Sequence, residues 1–396
     1  MTSQLTRSSL RPNPPGTRAS LWAGTVIAVI MLAAALVWLV APQLGPYADS
    51  PAPVQLLTGT AGAGPVIAAA VQAAIGVVAS AVGIAALFGL MRPGALLAVI
   101  GIVCGGITAV GFVGFNGIAT AGYLLASTLP VLVIITVIFA CRRPLIGGIV
   151  VAAVLALLAF VFFGPTPIPQ FYEMAAVAFV DDLVELSATV LSTLFAGVWI
   201  LCGALLLTRD PGRFGAFVSR HRIVITVLAA CCALPYVIAR ASWLTPWPLF
   251  GGSAIEEYGS TVLATGLMLG AAVLAGGVLT LGLILPWGSR LPRWLPRIGG
   301  RPVPVALAVV PASIVSVLFT AGGAEALLMT FAQSGAVAVG ELALVLVLPF
   351  WLWGPLLALA TWGYVLHRAA TPPASEHRDG ARGSVASSAF GRNGVA

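Results

Sequence analysis

The sequence contains no lysine, and all 19 of its basic residues are arginine. That bias fits the codon usage of a GC-rich genome, since lysine serves equally well beside a membrane. Charge of either sign is scarce: charged residues make up 8% of the 396 positions against 60% hydrophobic, where soluble domains carry about 25% and roughly 45–50%. Length alone would allow two or three soluble domains, but this composition excludes them and predicts an all-α, polytopic membrane protein. Histidine is as rare. His221, His367 and His377 fall in loops or the tail, so the usual ligands for a metal centre inside the bilayer are lacking. The five cysteines, Cys104, Cys141, Cys202, Cys231 and Cys232, lie in or at the ends of apolar runs. None has the two-residue spacing of a zinc or redox pair, and they read as small core hydrophobes. Phosphate loops, nucleophile elbows and zinc signatures are missing too, so ATP coupling and hydrolase chemistry have no residues to carry them. The sequence therefore leans away from an enzyme without deciding the question, and it carries no signature of a metal or cofactor.

What is present is a succession of apolar runs. A spanning helix needs about 20 apolar residues, because each residue rises about 1.5 Å through a hydrocarbon core roughly 30 Å thick. Ten segments qualify, near 21–41, 65–90, 94–113, 119–141, 145–163, 186–207, 223–243, 260–285, 302–320 and 342–366. The first exceeds the apolar core of a signal peptide, about 7–15 residues, and should stay as an anchor. The bundle would occupy 19–368, between a polar N-terminal stretch, 1–18, and a small-residue-rich tail, 369–396, both expected to be disordered and cytoplasmic.

Ten spans with the N-terminus inside place 18 of the 19 arginines in the cytoplasm, as positively charged loops resist translocation. Asp49, Glu173, Asp181, Asp182, Glu185, Glu256, Glu257, Glu325 and Glu341 then face outward. A bacterial inner (plasma) membrane fits this pattern. The exception is Arg240, 17 residues beyond Ile223 and so about 26 Å up a regular helix, near the outer headgroups. Its partner is either a carboxylate, from Glu256 and Glu257 or from Asp181, Asp182 and Glu185, or the phosphate of a lipid, which a guanidinium binds through two parallel hydrogen bonds. These six residues form the candidate outer binding set.

On the cytoplasmic side, "LPWGSRLPRWLPRIGGRPVP" carries Arg290, Arg293, Arg297 and Arg301 at intervals of three and four. Pro292 and Pro296 oppose a helix in that register, so an irregular loop on anionic lipid headgroups is expected. The arginines are too dispersed for nucleic acid, while the bilayer and a membrane-protein partner remain open. Residues 169–191 read as an outer amphipathic helix leading into the sixth span, and 321–341 as an interfacial or re-entrant segment. Glycine-rich stretches such as 101–114 and 270–282 suit close helix packing. Pro130, Pro235, Pro311, Pro349 and Pro355 suggest kinks. Gln72, Ser80, Asn116, Thr128, Thr189 and Ser192 are candidates for polar lining or for interhelical hydrogen bonds. Buried ionisable residues are absent from the middle of every predicted span, which disfavours ion-driven exchange.

The arginine-rich loop together with "ARASWLTPWPLF" resembles multi-pass membrane proteins of high-GC bacteria over roughly the last third of the chain, and the resemblance implies membership without an activity. Three function classes follow. The first is a permease-like carrier of a lipophilic or neutral solute or lipid; the second is a cell-envelope scaffold or accessory subunit. The third is a transferase acting on lipid phosphates at the outer face.

Overall fold

The structure, a computed structural model, describes residues 17–47, 53–54, 64–140, 144–163, 170, 173, 176–177, 182–208, 211–252, 260–290, 300–332 and 336–370. Among them the chain is all-helical; the one β-type pairing is an isolated bridge between Arg290 and Pro302. Eight helical stretches in this set are long and apolar enough to cross a membrane. In hydrocarbon every backbone amide must find its partner within the protein, which leaves these apolar runs no alternative to helix.

The helices are α1 (Thr17–Val40), α2 (Gly64–Leu87), α3 (Ala95–Thr108), α4 (Gly114–Ala140), α5 (Pro144–Phe163) and α6 (Leu183–Leu207). After these come α7 (Gly212–Arg220), α8 (Arg222–Cys231), α9 (Leu234–Ala241), α10 (Ser260–Leu281), α11 (Val305–Ala332), α12 (Ala336–Val347) and α13 (Phe350–Ala370). Helices α4 and α5 stand where the fourth and fifth spans are predicted. One expectation is corrected. Residues 321–332 form no separate re-entrant element but continue α11 as one helix of 28 residues. The last predicted span runs through Leu342–Ala370, with the predicted interruption at Leu348 and Pro349, between α12 and α13, where Pro349 has no N–H to offer the preceding turn. Most of the predicted outer helix at 169–191 lies outside the described residues before α6 begins.

Small residues set the packing. Gly76 faces Leu32 and Gly83 faces Thr25, which makes α1 and α2 antiparallel. Gly101 sits under Trp199, Gly105 against Ala196 and Ile200, and Gly203 against Ala98 and Ile102, so α3 and α6 also run antiparallel. Trp199, 1% exposed, donates its indole N–H to the Gly24 carbonyl at 3.1 Å and ties α6 to α1. This first group has its own core around Met31, Leu97, Phe195 and Trp199. A second core, around Val218, Phe350, Trp353 and Tyr364, unites α8, α11 and α13. In it Gly323 meets the Trp351 backbone and Gly354 meets Thr320. A small third cluster, Ala109, Val113, Ala196, Val317, Leu318 and Ala321, joins the two groups. Cys104, Cys202 and Cys232 are buried as expected of small hydrophobes, whereas Cys231 is exposed.

These antiparallel pairings sort the described charges between two ends of the bundle. At one end, the Tyr364 hydroxyl donates to the Gly288 carbonyl at 3.1 Å, and Arg368 donates to the Ser289 and Val303 carbonyls at 3.2 and 3.0 Å. The stem of the arginine-rich loop is thereby fastened to the end of α13. Arg222 lies beside Gly363 at the same end, and Phe214 of α7 stacks on Trp362 with ring centres 5.7 Å apart. Arg18, Arg92, Arg213, Arg220, Arg222, Arg290, Arg301 and Arg368 all belong to helix ends or turns on this side. Asp182, Glu185 and Glu325 belong to the opposite end, and Arg240 stands with them.

The α3–α6 contact yields a local test. In Gly105→Ala the new methyl would sit 2.9 Å from the Ala196 carbonyl oxygen, whereas in Gly106→Ala it meets nothing within 4 Å. Differential scanning fluorimetry of the detergent-solubilised protein should show a lower melting temperature for Gly105→Ala, through an overpacking cost of about 1–3 kcal/mol. Gly106→Ala should match the parent.

Candidate functional site

The two helix groups meet where α3 loses its regularity. Its last turn widens into a π-turn over Ala109–Val113, and Gly114 follows at φ 52°, ψ −150°, a conformation that side chains rarely tolerate. A Cβ here would also press on Pro53 and on the Glu325 carboxylate. The chain turns at Gly114 and starts α4 with an exposed backbone donor on Phe115. Glu325, carried on α11 from 210 residues away, reaches across and accepts that hydrogen bond through Oε2. A carboxylate in such a position suits the positive end of a helix. It also holds the start of α4 to α11.

Beside it, Asn116 donates from Nδ2 to Oε1 of Glu185, at 2.9 Å, on the first turn of α6. Tyr47, from the turn after α1, closes the other wall. Its hydroxyl donates to Gln72 Oε1 at 2.7 Å, and Gln72 Nε2 contacts Ser192 Oγ at 3.4 Å. The ring of Tyr47 meets Trp38 edge-on and Phe112 at a tilt, with centres 5.7 and 5.9 Å away. Burial raises the Tyr47 phenol well above its ordinary range, and the bond to Gln72 offsets this in part; the group stays neutral and serves as a donor. Together Tyr47, Pro53, Phe112, Asn116, Glu185 and Glu325 line a cleft of about 30 Å³, which is room for a small polar group and no more. Its apolar walls and acceptor-rich mouth favour hydrogen-bond donors.

Of the residues proposed from sequence, Glu185 lines this cleft. Asp182 is exposed at the entry to α6 and makes no side-chain capping bond. Asp181, Glu256, Glu257, Arg293 and Arg297 lie outside the described residues. Arg290 and Arg301 are exposed at the opposite end of the bundle, at the loop stem. Arg240 does not line the cleft. Its guanidinium instead lies over the rings of Tyr236 and Trp243, 4.7 and 4.2 Å from their centres. Among the described residues no carboxylate pairs with it; Asp181, Glu256 and Glu257, three of the partners expected for it, lie outside that set. The polar residues Gln72 and Ser192 are spent on a bond between α2 and α6.

Glu325 and Tyr47 escaped the sequence reading as site residues. Glu325 was legible as an outward acid, but its position on a continuous helix was not. A glycine pair followed by glutamate, "GGAE", was the available signal. No group of three or more metal-ligating side chains occurs among the described residues. No protein-family model, curated protein or solved structure matches the chain.

Removing the cross-helix acceptor should be measurable. Glu325→Ala leaves the Phe115 amide without its partner, a loss of about 1–3 kcal/mol, and hydrogen–deuterium exchange of the 114–118 backbone should quicken. Glu325→Gln keeps a carbonyl oxygen in place and should exchange at close to the parental rate.

Proposed function

We propose that the protein is a permease-like carrier of a lipophilic or neutral solute or lipid, crossing a bacterial plasma membrane ten times with its N-terminus inside. The observation that carries this reading is the junction itself. Two helix groups, each with its own core, meet through a small third cluster and a broken helix. Discontinuous helices at such meeting points are where carriers bind their cargo, and relative rocking of the two groups alternates access to it. The cleft at this junction combines aromatic and proline walls with acceptor groups, which suits the hydroxyl or amine of a cargo whose apolar remainder stays outside it. The segregation of described arginines from described carboxylates supports the orientation, with the arginine end in the cytoplasm.

A cell-envelope scaffold is the second reading, favoured by the small volume of the cleft. A transferase would require the acidic set and Arg240 to converge, and Arg240 lies apart from the cleft.

Distance measurements between spin labels separate carrier from scaffold. One label is placed at the exposed Ser187 on α6 and the other at the exposed Leu352 on α13, in a background lacking reactive cysteines. In lipid nanodiscs a carrier should give two distance populations, and Glu325→Ala, which removes the acceptor that holds the start of α4 to α11 at the junction, should change their ratio. A single narrow distance in both proteins would reject the carrier.

A further inference from the structure

Arg240 occupies a built frame. It ends the second half of a span that is broken at Cys232 and Ala233, and its stem passes over Gly270 of α10, where a Cβ would come within 2.9 Å of the arginine's own. Tyr236, one turn earlier, and Trp243, one turn later, are both buried, at 4% and 8% exposure, and hold the guanidinium between their faces. Each such contact attracts the cation to the ring's negative face and orients the group.

The following turn is folded back over the same cation. The Trp243 indole N–H donates to the Leu249 carbonyl at 2.8 Å, and the Leu249 amide donates to Ser242 Oγ at 2.8 Å. Phe250 is held at φ 38°, the one non-glycine residue with positive φ among those described, and Gly251 at φ 80°. A Cβ on Gly251 would lie 3.8 Å from Arg240 Nη1. Strain of this kind persists where the surrounding structure enforces it.

The guanidinium is thus oriented and pressed on two sides, while none of the described residues takes its donors. Nε is buried and makes no hydrogen bond, and among the described residues neither a carboxylate nor a carbonyl receives the terminal nitrogens. The side chain as a whole is half-buried, so its outer edge is reachable. The rim is apolar and exposed, with Leu244 at 70%, Trp247 at 79% and Leu249 at 55%. Such a rim belongs at the depth where acyl chains give way to headgroups. This end of α9 is the end that holds the cleft, because Arg222, at the start of α8, lies beside Gly363 near the far end of α13.

We infer that Arg240 is the anchor of a phosphate-binding site, in which the terminal nitrogens of the aromatic-stacked guanidinium grip a phosphate group through two parallel hydrogen bonds. The planar fork matches phosphate as an ammonium does not. The apolar rim beside it accommodates the chains of an amphiphile, and the same chemistry would accept a free phosphate. The site stands independently of the carrier reading.

Native mass spectrometry of the full chain in a neutral detergent tests it, with dioleoyl phosphatidic acid, dioleoylglycerol and inorganic phosphate as probes. Arginines at the other end of the bundle also attract anions, so the comparison is between the parent, Arg240→Gln and Arg240→Lys. The parent should bind one equivalent of phosphatidic acid at least tenfold more tightly than dioleoylglycerol. Arg240→Gln should weaken that binding roughly tenfold or more, the scale of one charge-assisted bond, and Arg240→Lys should weaken it by a smaller factor. Inorganic phosphate bound as tightly as the lipid, and lost in Arg240→Gln, would support the site with a soluble occupant. Equal binding of dioleoylglycerol and phosphatidic acid would overturn the inference. So would an affinity that Arg240→Lys leaves unchanged, a result that stands even where Arg240→Gln fails to fold.

Discussion

A backbone amide in hydrocarbon has only the protein to turn to, and each break in a helix must be settled by some neighbour. Two breaks in this chain settle theirs locally. At Cys232 the amide bonds back to Leu228 and Ala229, and at Pro349, which has no amide to satisfy, Phe350 bonds to Leu348. The break at Gly114 is different: its Phe115 amide is taken by a side chain distant in sequence, Glu325 on α11. One hydrogen-bond requirement therefore fixes the start of α4 against α11, and the cleft forms where that start meets α6 through Asn116 and Glu185.

The sequence made the helices, their approximate limits and the sorting of charge legible, because length, hydropathy and the siting of arginine are each fixed by the bilayer. It did not reveal the cleft. That pocket draws Tyr47, Asn116, Glu185 and Glu325 from four separate stretches, and periodicity within one helix says nothing of which helices adjoin. The extension of α11 was hidden for a related reason. Gly322 and Gly323 look like an interruption, yet they continue the helix because Ile118 and the Trp351 backbone pack where side chains would stand. Close approach offsets the helix cost of glycine, about 1 kcal/mol per residue. For Arg240 the spacing to Tyr236 and Trp243 was visible all along. The charge pointed to a carboxylate or a phosphate, and the helical register adds two aromatic faces that the spacing already contained.

The end of the bundle that carries the cleft therefore displays two unlike features. One is an acceptor-rich crevice between helix groups, made by carboxylates and an amide. The other is a cation set in aromatic rings at a single group's edge. The opposite end is built for anchorage instead, with the loop stem fastened by Tyr364 and Arg368.

Helix α11 has 28 residues and so measures about 42 Å, some 12 Å more than a typical hydrocarbon core of roughly 30 Å. It must lean, or one end must stand clear of the lipid, and Glu325 lies about 30 Å along it. A thicker bilayer would draw this helix upright, and a thinner one would tip it further or leave its end in water. Because Glu325 is the hand that α11 extends to α4, bilayer thickness becomes a mechanical input to the junction.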